Sequence, residues 1–359
     1  MKHPRLSALG IAVLCCLLVA GCGLGIADPV PFPSPPGGYV KAVGTQLSVG
    51  GQPFRFEGLD IYMAASRGRC GGTINLSRVL NQIGKHQNVF RVWFFQSFAV
   101  SHGHFDWRPF DQLLAEAAQH GERVIVTLAN QWNYCDGPEK TLGWWQSGYR
   151  NQVFPGDLVT YRQWVTDVVS RYRNDSTVAM WQLVNEGAAE TAPGVCNEAA
   201  AVAAMGAFAT DMAGLVHSLD HHHLVSLGNV PGYCGNFGSD YQTLNAVAGV
   251  NVCDYHDYGA PASPLGQSGP NGLLGAIAAC HADGKPIMVS ETGILLTAPQ
   301  QLGLRASQFR AKFTAQFAAG VVGELMWSWV NATTIVVPPT PEDYGIGPGD
   351  PSLKVLGHY

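Results

Sequence analysis

From residue 39 onward the chain alternates apolar, strand-like runs with amphipathic helical stretches, eight times over. Sustained alternation of this kind predicts a parallel α/β architecture, because a crossover helix returns each strand parallel to the last. The strand and helix pairs fall at 54–61 and 75–85, 89–94 and 108–120, 124–128 and 157–172, and 178–184 and 198–219. They continue at 224–227 and 240–247, 250–255 and 273–282, 287–290 and 305–319, and 323–327 and 351–356. Eight units predict a closed (β/α)8 TIM barrel rather than an open doubly wound sheet. The open sheet calls for a glycine-rich phosphate loop after an early strand, and the sequence has none. A hairpin over 44–52, turning at Gly50-Gly51, is expected to close the barrel bottom. The 359 residues, 47% of them hydrophobic, suffice for one such domain over 39–359.

Residues 1–22 read as a leader rather than as fold. Lys2 and Arg5 make a positive start, residues 6–19 are an apolar run too short to span a bilayer comfortably, and Ala20-Gly21-Cys22 follows. LVAGC resembles a bacterial lipobox, in which the cysteine is lipidated and becomes the mature N-terminus; the alternative is a plain cleaved signal. Residues 23–38 form a linker, with five prolines between 27 and 38, stiff enough to hold a domain away from a surface. The expected location is extracytoplasmic, with the chain anchored to the membrane by lipid on Cys22 or secreted. Of nine cysteines, Cys15, Cys16 and Cys22 belong to the leader. The remaining six read as disulfides between neighbouring barrel loops: Cys70 with Cys135, Cys196 with Cys234, Cys253 with Cys280. No C-x-x-C occurs, so no zinc site is expected, and neither is any other metal or cofactor.

Charged residues are only 13% and the net charge is −5, without a basic stripe, so nucleic acid is excluded as a partner. A surface that depends on neutral polar groups suits hydroxyl-rich ligands. A monomer is expected.

Active sites of (β/α)8 barrels lie at the C-terminal ends of the strands. The polar and aromatic residues there are Asp60, Arg91, Asn130, Asn185, Glu186, Asn229, His256, Tyr258, Glu291, Trp327 and Trp329. Glu186 and Glu291 end the fourth and seventh strands, on opposite sides of the mouth. Glycoside hydrolysis needs such a pair, one carboxyl protonated to help the leaving oxygen depart and one ionised to attack the anomeric carbon. Arg91 is expected to hold Glu291 ionised, and the charge of Glu291 to keep Glu186 protonated.

These motifs carry a family resemblance. YVKAVGTQLSVGGQPFRFEGLDIY resembles the start of the β-mannanases of glycoside hydrolase family 5. NVFRVWFF, RVIVTLANQW, WQLVNEG, DYHDYG, IMVSETG and MWSW resemble that family's motifs on strands 2, 3, 4, 6, 7 and 8, in order. The match covers nearly all of residues 39–330 and extends to the family's cellulases. It implies a retaining glycosidase cleaving the β-glycosidic bonds of an extracellular or cell-envelope polysaccharide by double displacement. Glu186 is then the general acid/base and Glu291 the nucleophile. Asn185 bonds the sugar 2-hydroxyl, Arg91 and Tyr258 hydrogen-bond Glu291, His256 lines the cleft and Trp327 floors it. Asn130 is a further strand-end contact, and Trp132, Trp144 and Trp145 extend the cleft, the last two balanced against plain loop packing. Gly187 and Thr292 depart from the proline and the aromatic frequent at those places, which leaves the substrate open. β-Mannan or β-glucan follows from the resemblance; a furanose-containing envelope glycan and a non-catalytic carbohydrate-binding lipoprotein are the alternatives. Trp329 is expected in the core, and His221-His222-His223 at the barrel bottom, away from the chemistry.

Overall fold

Runs such as VFRVW and VAMWQ are buried along their whole length, which a strand achieves only when both of its faces are covered. The computed structural model describes residues 35–70, 72–83, 88–331 and 344–358, so the leader over 1–22 and most of the 23–38 linker lie outside the described residues. The described chain opens with an antiparallel sheet of β1 (Val40–Val43), β2 (Gln46–Val49) and β3 (Gln52–Phe54). The barrel begins with β4 (Phe56–Leu59) and α1 (Leu76–Ile83), then β5 (Val89–Trp93). A short α2 (Gln96–Ala99) and a hairpin of β6 (Val100–Ser101) and β7 (His104–Phe105) precede α3 (Arg108–Gln119) and β8 (Arg123–Thr127). After α4 (Tyr149–Asn151) and α5 (Tyr161–Tyr172) come β9 (Val178–Gln182), α6 (Glu198–Leu219), β10 (Leu224–Ser226) and α7 (Ser239–Asn245). The chain completes its circuit with β11 (Cys253–Asp257), α8 (Leu273–Ala282), β12 (Ile287–Thr292), α9 (Leu302–Ala319) and β13 (Gly323–Met326).

Two four-stranded parallel sheets, β10-β9-β8-β5 and β11-β12-β13-β4, make the two halves of the wall. Single parallel bridges, Asp60 to Arg91 and Ser226 to Val252, join the halves into a ring of eight strands. The architecture is therefore the expected (β/α)8 barrel. The segment below it has three strands rather than one hairpin, since the chain also turns at Gly44. Val40, Leu47 and Phe56 meet Val89, Ile125, Met180, Leu224 and Val322 in an apolar plug, which seals the bottom as anticipated. His222 lies there too, stacked on Tyr39 at 4.4 Å.

Boundaries shift where local hydrogen bonds override pattern. The third crossover helix starts at Tyr161, not at 157, because Thr160 caps it by accepting from Gln163 N at 3.3 Å. Residues 158 and 159 are held outside the helix by Gln96, whose Oε1 accepts from both backbone N–H groups at 2.7 and 2.9 Å. The sixth strand runs over Cys253–Asp257 rather than 250–255, extended by parallel pairing with β12. α6 matches its expected bounds, with Asn197 accepting from Ala200 N. It is apolar because it packs into the wall through Ala204, Phe208 and Met212. All three expected disulfides are formed, with Cα separations of 5.2 Å for Cys70–Cys135, 5.6 Å for Cys196–Cys234 and 6.4 Å for Cys253–Cys280.

Candidate active site

A buried charge must be surrounded by partners, and the top of the barrel is arranged around one. Arg91, on β5, is 0% exposed. Its Nη1 donates to Asp60 at 2.9 Å and to Glu291 at 2.6 Å. Nη2 donates to Asn185 Oδ1 at 2.5 Å and Nε to Gln182 Oε1 at 2.9 Å. Asn185 in turn donates to Asn130 Oδ1 at 2.9 Å. Asn130 is itself 1% exposed and spends its Nδ2 on Tyr134 O, so it holds Asn185 rather than facing the cleft.

Glu291, at the end of β12, receives a second hydrogen bond from Tyr258 Oη at 2.6 Å. Glu186 follows β9 with φ of 54°, a left-handed conformation that is costly for a residue with a Cβ and is kept only when its surroundings fix it. Trp132 Nε1 donates to its Oε2 at 2.6 Å and His256 Nδ1 to its Oε1 at 2.9 Å. Trp132 therefore grips the carboxylate itself. The next residue, Gly187, is accounted for by Trp145: a Cβ there would lie 2.9 Å from the indole ring. Trp144 and Trp145 are 3% and 0% exposed, which favours loop packing over cleft contact, the two readings open for them. Thr292 is buried with its Oγ1 donating to Glu324 at 3.1 Å. Trp327 is half-buried at the mouth and stacks on Tyr62 at 4.9 Å. Trp329 is core, and Asn229 is buried with its amide on Asn236.

One expectation about charge is overturned. Burial raises the pKa of Glu186, but the hydrogen bond and charge of His256, with Trp132 and Arg91, outweigh it, and the carboxyl sits below its ordinary value. Burial of Glu291 wins over His256 and Arg91, so its pKa lies above the ordinary value. Burial opposes a charge on His256, yet Glu291, Asp254 and Glu186 push its pKa up to about 10. Between this pair, 2.9 Å apart, the surroundings favour the charged imidazole of His256 and the ionised carboxylate of Glu186. The imidazole is placed by its other side: Nε2 donates to Ser290 Oγ at 3.1 Å, and that hydroxyl donates to Asp254 Oδ2 at 2.9 Å. Asp254 also accepts from Gln182 Nε2 at 2.5 Å, which closes a polar belt back to Arg91.

The sequence reading missed Gln182, Asp254, Ser290 and Tyr233. For the first three a signal existed: each is a polar residue inside a strand that is buried throughout, which demands a partner. Tyr233 lies on a loop, and no local pattern marks it. Its pKa is raised by burial first and then by the negative charges of Glu186 and Glu291.

The groups open into a pocket of about 360 Å³ lined by Tyr233, Phe237, His256, Tyr258, Gln267 and Asn271. A larger cavity of about 570 Å³ between α1 and α3 lies apart from this chemistry and has no carboxylate pair. Oxygens of Glu186 and Glu291 and a nitrogen of His256 lie within 4.8 Å of one another, near enough to hold a cation, but Arg91 and protonated His256 already supply the positive charge there. Cys196, Glu198 and Cys234 also cluster, with both sulfurs committed to their disulfide.

No family model matches the sequence. Among curated proteins it is 26% identical over 267 residues to mannan endo-1,4-beta-mannosidase 7 of Arabidopsis thaliana, covering 62% of this chain and 59% of that protein. The chain thus spans about three-fifths of that relative's length. It is 25% identical over 351 residues to mannan endo-1,4-beta-mannosidase A of Podospora anserina, covering 86% of this chain and 88% of that one. The solved endo-1,4-beta-mannanase of Rhizomucor miehei superposes with a TM-score of 0.63 at 17% identity, over 88% of this chain and 96% of that one, a likeness of fold.

The state of His256 is directly measurable. Because its folded pKa exceeds the ordinary 6.5, its contribution to stability is full below about pH 6.5 and is lost as pH rises through about 10. Nitrogen NMR of the imidazole is expected to find both nitrogens protonated at pH 8, and Glu291→Gln to return the titration toward 6.5. A resting His256 that titrates near 6.5 contradicts this charge arrangement. In fold the chain resembles a solved structure named as a glycoside hydrolase family 5 mannosidase, and the curated relatives reported above are named mannan endo-1,4-beta-mannosidases.

Proposed function

We propose that the protein is a retaining glycoside hydrolase that cleaves β-mannan-type polysaccharide by double displacement. The observation that carries this reading is the approach of Glu186 and Glu291, with oxygens within 4.8 Å across the mouth. Retaining pairs stand about 5–5.5 Å apart, whereas inverting pairs need about 6.5–9.5 Å to admit a water between sugar and base. The mannan assignment is supported by the named relatives.

Glu291 attacks the anomeric carbon as the glycosidic bond breaks, and the leaving oxygen takes a proton through Glu186, which first receives it from His256 Nδ1 across their 2.9 Å hydrogen bond and is left ionised. Forming the glycosyl ester removes the charge of Glu291, the main group holding the proton on His256, so the imidazole is left neutral. Glu186, ionised, then takes a proton from water as that water attacks the ester, and the proton returns to His256. Arg91 and Tyr258 hold the Glu291 carboxylate for attack and receive it as leaving group. Trp327 offers an apolar face to the sugar in the reacting position.

Glu186→Gln and Glu291→Gln are each expected to reduce mannan hydrolysis by about 100-fold or more, with the folded state retained by circular dichroism. Wild-type turnover of a polysaccharide panel that survives both substitutions contradicts the assignment.

The same reading places the domain outside the cytoplasm. Three disulfides fit an oxidising compartment, and the basic start, short apolar run and Cys22 support a lipid anchor. Metabolic labelling with a clickable fatty acid in a bacterial host is expected to mark the wild type and not Cys22→Ala. Equal labelling of both, or of neither, counts against the anchor.

A further inference from the structure

The loop that follows β10 is fastened to the loop that follows β9 far more firmly than a surface connection needs. Asn229 Nδ2 donates to Asn236 Oδ1 at 2.8 Å, and Asn236 Nδ2 donates to Gly187 O at 3.0 Å, on the residue beside Glu186. The backbone N–H groups of Gly235 and Phe237 donate to Glu198 at 2.8 and 3.0 Å. Cys234 is bonded to Cys196. At Gly228, with φ of 78°, a Cβ would lie 2.0 Å from Val184 O, so the loop leaves its strand pressed against the end of β9. Tyr233 is the large side chain held between these fixings.

Its ring meets Trp132 edge-on, centroids 5.7 Å apart. Trp132 comes from the loop after β8 and donates to Glu186 Oε2 at 2.6 Å. Glu186 is therefore held by an aromatic arm from the loop before its own, and that arm is backed by a ring from the loop after. Each of the two is tied by a disulfide close in sequence, Cys135 three residues beyond Trp132 and Cys234 directly after Tyr233. Tyr233 also lines the pocket shared with His256 and Phe237.

We propose that Tyr233 is a positioning residue for Glu186: with Trp132 it fixes the carboxyl toward the leaving-group oxygen, and the Cys196–Cys234 disulfide holds Tyr233 in that place. The inference rests on Glu186 as the acid/base. It predicts an effect confined to steps in which Glu186 moves a proton. Attack by Glu291 on an aryl glycoside with a very acidic phenol needs no such proton, whereas release of a sugar does.

The test uses the folded, disulfide-bonded protein with two substrates, a mannooligosaccharide and 2,4-dinitrophenyl β-mannoside. The variants are Tyr233→Phe, Tyr233→Ala and the double Cys196→Ser/Cys234→Ser. For Tyr233→Ala, kcat/KM on the oligosaccharide is expected to fall roughly tenfold or more, and on the aryl mannoside to change less than about twofold. The effect should lie in kcat rather than KM, and the limb of the pH profile due to Glu186 should move. Tyr233→Phe separates hydroxyl from ring by moving that limb alone, and the double cysteine variant should follow Tyr233→Ala in direction. Equal losses on both substrates, or an unchanged pH profile with unchanged kcat, overturn the proposal while leaving the hydrolase reading intact. A wild type inert toward both substrates overturns the hydrolase reading, and this inference with it.

Discussion

One guanidinium organises the catalytic face of the barrel. Arg91 reaches Asp60, Gln182, Asn185 and Glu291, which belong to or directly follow β4, β9 and β12, while its own backbone lies on β5. In a medium where an unpaired charge costs several kcal/mol, this group cannot be displaced without stranding Asp60 and Glu291 as neighbouring buried carboxylates. Burial alone already raises the pKa of Asp60, with Arg91 opposing it. The interaction that fixes strand spacing at the top of the barrel is therefore also the one that aims Glu291.

On the proposed mechanism, charge is distributed in the site so that one proton serves a cycle. Arg91 compensates Glu291 permanently, whereas His256 compensates it only while Glu291 is ionised. Ser290, Asp254 and Gln182 hold the far side of the imidazole, so its near side always faces Glu186. The charge that changes during covalent catalysis is thereby coupled to the group that carries the proton. The disulfide-tied loops add what strands cannot, an indole on Glu186 from one loop with the Tyr233 ring of the other packed against it.

Much of this was legible in the sequence because barrels put function at strand ends and strands have recognisable periods. Glu186, Glu291, Arg91 and His256 fall where counting strands places them, and Tyr258 bonds Glu291 as the resemblance implied. The proton's resting place was not legible, since it depends on four groups from β9, β11 and β12 converging at distances no spacing rule gives. Trp144 and Trp145 resisted for a related reason: an aromatic pair on a loop reads equally as platform or as packing until Gly187 is seen beneath one of them. Tyr233 is invisible to pattern because its place is set by Cys234, Asn236 and Glu198 rather than by its own neighbours in a strand.

The claim on which the rest depends is that Glu291 and Glu186 act as a retaining pair. Proton NMR of the sugar released in the first minutes of mannan or mannooligosaccharide hydrolysis, before mutarotation, tests it most directly. The account predicts that the new reducing end appears first as the β-anomer. First appearance of the α-anomer means single displacement by water, which contradicts both the nucleophile role of Glu291 and the proton cycle through His256.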